Sequence, residues 1–548
     1  MVMVFHEEKE GKDIMHLGKS KSKNSVSLYV LKSTYEYGFH STKIVEKLGT
    51  TEELAKKLNG EDPIEWAKKY IEELNRKEKE EKKEIKATYS TSRKISRNEN
   101  RTFNGGYMFL DPVLNELGIH TICRNIKKRH HLDFNFDDIL CKLIYIRLIN
   151  PSSTLSYHDS ASLFLEQPDF TPRHVEKALR VLSEEADYIE QQLFENIRKT
   201  YGHHLTYLYY DTTICLYDSY ARQSADHVIP MEIYYDADMM PLGYKINPDH
   251  LSSHPNSDIE EELIRNFDIT RVISQSDGGI SAAGSDTFKD WNIPNTHVTS
   301  MPSSMLDPIQ KKEANNPSGW NCSDLPGTFN LKELRLEQEI QNPSRFYWKE
   351  MNQNDGQRVI LCYSMSDALR ARTIKELYIL HNPNVLPAIT NQEKTWSKDV
   401  IAFVTNLHDE NPVRIVRNGL FRNQVHQNFR MLAMEFPAVS SSLSESEMIN
   451  AHFITCYCAL CVYCAFMKDL DLYDHAPHIQ EELSKINFMK VAQEGYVPLY
   501  TPNTFTDHLH ERIGYRTDFE IISTKQISKI MRNSKRKSYI EKEEETEN

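Results

Sequence analysis

The chain contains no uninterrupted apolar run of the roughly 18 residues that a membrane-spanning helix requires. Its amino terminus, MVMVFHEEKEGKD, has acidic residues where a secretory leader would have its apolar stretch. Both absences predict a protein without membrane partners that stays in the cytoplasm. Disulfide-like spacing is missing too: the nine cysteines follow no regular framework, which in so long a chain fits free thiols in a reducing compartment. Nor is there a surplus of positive charge. A formal net charge of -13 argues against a surface that binds nucleic acid throughout, because neutralising phosphates needs Lys and Arg. It leaves room for a local basic groove.

The remaining composition, 39% hydrophobic and 26% charged, is that of a folding globular chain. At 548 residues it is too long for one core, so about three to four structural units are expected. Residues 76–86, RKEKEEKKEIK, form a mixed-sign segment that reads as a solvated helix or linker. The basic stretch Ser534, Lys535, Arg536, Lys537 leads into an acidic tail, EKEEETEN, and both read as solvated.

Residues 26–32 alternate as a strand does, and residues 42–45, after Gly38, can return as its hairpin partner. A helical stretch from about 51 to 82 follows. Apolar residues at three and four spacing in 132–149 and 174–198 make the region before 200 a helical domain. There Arg147, Arg173, Lys177 and Arg180 are either phosphate contacts or a solvated helix face.

Residues 205–210 are aromatic and β-prone and run into Asp211; 228–235 and 242–246 complete a three-strand meander. A helix over 257–267 precedes a fourth strand, 271–276, which delivers Asp277 into Gly278 and Gly279. A further helix over 281–289 and a short strand over 297–300 come next. Residues 301–398, with strands near 346–349 and 358–363, read as an inserted β-rich subdomain; a strand at 402–406 and a long helix at 413–436 then follow. The expected divisions are 1–104, 105–204, 205–300, 301–398, 399–470 and 471–548. They comprise a hairpin and helical region, a helical DNA-binding domain, the first part of an α/β core, the insertion, the rest of the core, and a carboxyl-terminal extension.

Asp211 and Asp277 both close strands that a mixed sheet can set side by side, where ligands commonly bind. Two neighbouring carboxylates repel unless a cation sits between them. Mg²⁺ or Mn²⁺ takes hard oxygen ligands and is often held by one or two carboxylates plus substrate phosphates. Such a site serves phosphodiester chemistry. The alternative is that the aspartates merely start turns or cap helices.

At these residues the chain resembles the DDE-class transposases of bacterial insertion sequences, in the branch with a Tyr-Arg-Glu-Lys signature and a β-rich insertion. The similar blocks run from STKIVEKLGT (41–50) and DPIEWAKKYIEELN (62–75) through FNGGY (103–107), YYDTT (209–213) and PLGYKINP (241–248). They continue to INAHFITC (449–456) and GYRTDFEI (514–521). The resemblance implies a ribonuclease H-like mixed sheet flanked by helices. Its first aspartate would end the first strand, its second would follow the fourth strand, and a glutamate on a late helix would complete a two-metal Mg²⁺ or Mn²⁺ site.

Asp211 and Asp277 fall on the first two positions. The signature lands on Gly419, Arg422, His426 and Ala433, so only the arginine is kept. Ser224-Ala225-Asp226-His227 and Asp249-His250 depart from the family's blocks as well. Glu435 is a poor substitute acid, since nine residues at about 100° each turn it to the opposite helix face. His426 is either a third metal ligand, better suited to Mn²⁺ than to Mg²⁺, or the occupant of a vacated position. Arg422 is implied to contact DNA phosphate near the metal.

The function implied is transposition: binding double-stranded DNA at the element's inverted repeats and at the target, then metal-dependent cleavage and strand transfer. The protein would act as a homo-oligomer in the bacterial cytoplasm, associated with the nucleoid, and the missing carboxylate predicts impaired catalysis. The alternative is a non-catalytic DNA-binding relic or repurposed transposase. An unrelated metal-dependent phosphohydrolase would leave the blocks before residue 200 unexplained.

Cys456, Cys458, Cys461 and Cys464, with His452 nearby, suggest zinc at first sight. Ligands on one continuous helix spread around its axis and cannot converge tetrahedrally, so the stretch ITCYCALCVYCAFM reads as a buried helix with cysteine as a small apolar filler.

Overall fold

The computed structural model describes residues 14–21, 25–36, 39–58, 62–81, 91–92, 94–97, 99–150, 155–202, 207–217, 227–246, 271–277, 295–340, 342, 345–352, 356–365, 368–369, 396–434, 443–470, 479–491 and 495–536. The chain divides into two compact units, Met1–Tyr89 and Ser90–Asn548.

The first unit is an antiparallel sheet of β1 (Ile14–Lys21), β2 (Val26–Glu36) and β3 (Phe39–Thr50), followed by helices Thr51–Lys57 and Pro63–Glu81. The expected hairpin is present, with Leu31 opposite Ile44. β1 has little alternation in IMHLGKSK and was not expected. The single helix anticipated over 51–82 is two. Thr50 and Glu53 form a capping box at the start of the first, and Pro63 opens the second, where its missing N–H is harmless. Asn75 fastens the second helix to β1, accepting from Met15 N at 2.9 Å and donating to Met15 O at 2.8 Å.

In the second unit, helices Asp111–Glu116, Ile119–Arg129, Phe136–Ile149, Tyr157–Ala161, Pro172–Glu184 and Ala186–Tyr201 form the helical layer expected before residue 200. Glu445–Asp469 runs through it. By length and composition Ser446–Asp469 is apolar enough to cross a membrane, yet it is wholly buried within the chain. Cys456, Cys458, Cys461 and Cys464 are all buried on this one helix, as core filler.

The large sheet is mixed. β5 (Tyr207–Tyr217), β6 (His227–Tyr235) and β7 (Pro241–Ile246) are the antiparallel meander. Asp236 makes the β6–β7 turn, its Oδ1 accepting from the backbone N–H of Asp238 and Met240 at 2.9 Å each. On the other side of β5 lie β8 (Arg271–Asp277) and β9 (Asn295–Pro302), both parallel to it. The helices anticipated over 257–267 and 281–289 lie outside the described residues.

The region expected as an inserted subdomain, 301–398, instead lengthens the same sheet. β10 (Trp320–Cys322), β11 (Thr328–Phe329), β12 (Tyr347–Asn352) and β13 (Arg358–Tyr363) join it through β14 (Val400–Thr405), giving the order β11-β10-β12-β13-β14-β9-β8-β5-β6-β7. β13 is buried at all six positions, so it lies between strands rather than at the edge of a separate sheet. One sheet face packs Val359, Leu361, Ala402 and Val404 around Trp320. The other packs Tyr209, Ile233, Ile273, Val298 and Phe403 against the helical layer and helix Pro412–Met434.

The carboxyl-terminal region is no appendage. β15 (Asn487–Val491), β16 (Gly495–Pro498) and β17 (Ile522–Ser523) form a sheet with β4 (Thr102–Asn104), in the order β17-β16-β15-β4. The stretch expected to be solvated is partly packed as well: Ser534 is fully buried, and Lys535 Nζ pairs with Glu166 at 2.6 Å. Asp111, also fully buried, accepts hydrogen bonds from Tyr145 and Ser534 and so ties the last described helix, Thr524–Ser534, to the helical layer.

Burial raises the Asp111 carboxyl to about 6 from an ordinary 3.8. A folded-state value above the unfolded one means that its contribution is complete below about pH 4 and is lost as pH rises through about 6. The loss is on the order of 3 kcal/mol. Urea unfolding of wild type and Asp111→Asn at pH 4 and pH 7 should show the variant gaining relative to wild type at the higher pH; an equal difference at both pH values would refute the assignment.

Candidate functional site

Asp211 and Asp277 stand on neighbouring parallel strands. β5 pairs with β8 in the register Tyr209 to Ile273 and Asp211 to Gln275, so Asp277 lies two residues beyond Asp211's partner. Positions of like parity share one face of a pleated sheet. Ordinary β-sheet spacings put two such Cα positions roughly 8 Å apart, a span that two carboxylates around one ion can bridge. The side chains of Asp211, Asp277 and His426 lie outside the described residues.

One expectation needs correction. Asp277 is the last residue of β8, but Asp211 is the fifth of eleven residues in β5 and is flanked on its other side by Ile233 of β6. Thr212, Thr213, Ile214, Cys215 and Leu216 are β-branched or apolar and prolong the strand past the acid, which had been taken as its end.

The face that holds these positions is the one beneath helix Pro412–Met434. Asn418 Nδ2 donates to Tyr209 Oη at 3.2 Å, two residues before Asp211. Asn423 Nδ2 donates to Ser300 Oγ at 3.4 Å, and Ser300 is Asp277's partner on β9. Gly419 seats this helix on the sheet: a Cβ there would fall 2.2 Å from Cε1 of Phe403, on β14. Where the resemblance expects tyrosine, the phenylalanine ring takes up the space. His426 follows Arg422 by four residues and Asn423 by three, one turn further along the same stripe.

Arg422 is 3% exposed, so it is not a surface arginine. Of the other basic candidates, Arg147 is buried and donates to His452 Nδ1 at 3.2 Å, and Arg180 pairs with Glu447 at 3.1 Å. Arg173 and Lys177 are exposed. Asp249, His250, Glu435 and the Ser224 to Asp226 block lie outside the described residues.

Sequence reasoning missed Gln275. It is 3% exposed, in register with Asp211 and two residues before Asp277, and neither its Oε1 nor its Nε2 has a hydrogen-bond partner among the described residues. Leaving such a group buried and unsatisfied costs about 1–3 kcal/mol, and ordered water or an ion is the usual remedy. An orphaned amide between two acidic positions therefore fits a site that takes a hydrated cation. The polar residue in VISQSD was visible in the sequence, but nothing there showed that its strand is buried on both sides.

Compared with protein-family models, with curated proteins and with solved structures, the chain matches none of them.

Gln275→Leu removes the orphaned amide and keeps the volume. In the absence of divalent ions it should stabilise the protein by about 1–2 kcal/mol in urea unfolding; a loss of similar size would mean that the amide is satisfied in solution.

Proposed function

We propose that this chain is a nucleic-acid-processing protein of the insertion-sequence transposase type, with a ribonuclease H-like core and a weakened catalytic centre. The single observation that carries the reading is the β5–β8 register, which sets two aspartate positions and a buried, unpartnered glutamine on one sheet face beneath a helix bearing Arg422 and His426. The strand sequence agrees with what the resemblance implies. Asp211 is on the first strand of the meander, and Asp277 ends the fourth strand, which returns parallel to the first.

In this reading Asp211 and Asp277 hold Mg²⁺ or Mn²⁺, Gln275 orients a water of its hydration shell, and His426 stands where a third carboxylate belongs. When bound, two such ions activate a water or a 3′-hydroxyl and stabilise the leaving oxygen of a phosphodiester. Arg422 meets the scissile phosphate and offsets its charge. Exposed Arg173 and Lys177 add phosphate contacts for double-stranded DNA at the element's ends, and self-association on that DNA completes the assembly. One anionic ligand fewer binds the cation less tightly and positions the phosphate less well, so DNA binding outlasts cleavage.

The test is a cleavage and strand-transfer assay on the element's own ends, in Mg²⁺ and then Mn²⁺. Wild type should bind the ends and cleave them weakly, better in Mn²⁺. His426→Glu should raise Mg²⁺-dependent cleavage at least about tenfold, and Asp211→Ala should abolish it in either background. Binding with no cleavage even in His426→Glu would favour the non-catalytic alternative; no DNA binding at all would end the proposal.

A further inference from the structure

A second cluster of metal-ligating side chains lies in the helical layer, apart from the two aspartate positions. His120 and Cys123 occur three residues apart on helix Ile119–Arg129; Asp137 and Cys141 occur four apart on helix Phe136–Ile149. Spacings of three and four put each pair on one helix face, and two facing helices that each offer two ligands can enclose an ion. This is the convergence that the four cysteines of helix Glu445–Asp469 cannot achieve.

His120 and Cys141 meet at the Asp137 carboxylate, with Cys123 one turn from His120 on the same helix. His120 Nδ1 lies 2.9 and 3.0 Å from its two oxygens, and Cys141 Sγ donates to Oδ1 at 3.8 Å. The ligand atoms of His120, Asp137 and Cys141 lie within 4.8 Å of one another. A tetrahedral zinc ion with ordinary bond lengths separates nitrogen from oxygen by about 3.3 Å and sulfur from oxygen by about 3.5 Å. The His120–Asp137 and Cys141–Asp137 spacings need to change by only a few tenths of an ångström, while Cys123 has to swing in to complete the set.

The surroundings leave room for an ion and a way in. A cavity of about 160 Å³ is lined by His120, Asp137, Cys141, Asp138, Glu166 and Lys535, among others. The Asp137 side chain is 39% exposed, so a hydrated ion can reach it, while both cysteines are buried and free. The nearby lysines are engaged elsewhere, Lys535 with Glu166 at 2.6 Å and Lys142 with the Glu166 carbonyl at 2.8 Å.

The other such grouping among the described residues, Asp507, His510 and Asp518, differs in this respect. There Arg516 already bridges the two carboxylates, 2.7 Å from Asp507 and 2.5 Å from Asp518, and fills the place of a cation.

We infer that His120, Asp137 and Cys141, joined by Cys123 when the ion binds, form a tetrahedral site for a borderline-soft divalent ion, Zn²⁺ in the cell, which clamps the two helices together. Two thiolates and an imidazole select such an ion over Mg²⁺, so this structural centre is chemically distinct from the hard-ligand site on the sheet. On binding, each thiol gives up its proton to solvent and its sulfur takes a bond to the metal.

The experiment uses the full-length chain, stripped of metal and titrated with Co²⁺ and then with Zn²⁺. One equivalent of Co²⁺ should produce thiolate charge-transfer absorption and the intense d–d bands of tetrahedral cobalt, both bleached by one equivalent of Zn²⁺. Cys123→Ser and Cys141→Ser should each reduce the charge-transfer band and weaken binding at least about tenfold. Asp211→Ala, which alters the other site, should leave the spectrum as in wild type. Wild-type protein that shows no thiolate band, or serine variants that bind Co²⁺ as wild type does, would overturn the assignment whether or not those variants are as stable as the parent.

Discussion

The parallel pairing of β5 with β8 is the constraint from which the rest of the site follows. Shifting that register by one residue would move every β8 side chain to the opposite sheet face. Asp277 and Gln275 would then leave the face that carries Asp211, and Ile273 would leave the cluster it shares with Tyr209 and Val298. The hydrophobic pattern thus holds the polar positions together: Tyr209, Ile273, Val298 and Phe403 must face the helices, and the alternation of the pleat carries Asp211, Gln275 and Asp277 with them. Gln275, buried on that face, has no side-chain hydrogen-bond partner among the described residues.

The surrounding structure is arranged to keep that sheet face closed. Helix Pro412–Met434 approaches closely because Gly419 lets it rest on the Phe403 ring, and Asn418 and Asn423 fasten it to β5 and β9. Packed against it, the Glu445–Asp469 helix supplies apolar bulk that includes four fully buried cysteines. At the far edge of the meander Glu190 accepts from the Tyr244 N–H at 2.9 Å, tying β7 to helix Ala186–Tyr201. The carboxyl-terminal strands close the opposite end of the helical layer by pairing with β4, and Asn104 reinforces this by donating to the Leu483 carbonyl at 2.9 Å.

Much of the architecture was legible in local patterns. The meander, the two later strands, the helical region before residue 200 and the buried cysteine helix all rest on periodicities of two or 3.6 residues, which a sequence displays directly. What stayed hidden depends on pairing between distant segments. Nothing local says that β13 lies beside β14 or that β15 meets β4, nearly four hundred residues earlier. The length of β5 was misjudged because an aspartate was given more weight as a stop than the β-branched residues after it deserved as a continuation. Nothing in the local pattern marks Arg147 or Arg422 as buried, since long cationic side chains usually lie at the surface. In the helical-layer cluster the spacings of three and four were present in the sequence, but only the packing of two helices brings His120, Asp137 and Cys141 within ligand distance of one another.

The claim on which the functional reading turns is that Asp211 and Asp277 share a divalent cation. Electron paramagnetic resonance of Mn²⁺ titrated into the purified protein, with the soft-metal site first filled with Zn²⁺, measures this directly. The account predicts that wild type depletes free Mn²⁺ by at least one site per chain and that Asp211→Asn and Asp277→Asn each abolish that site. Equal Mn²⁺ uptake by wild type and both variants would contradict it.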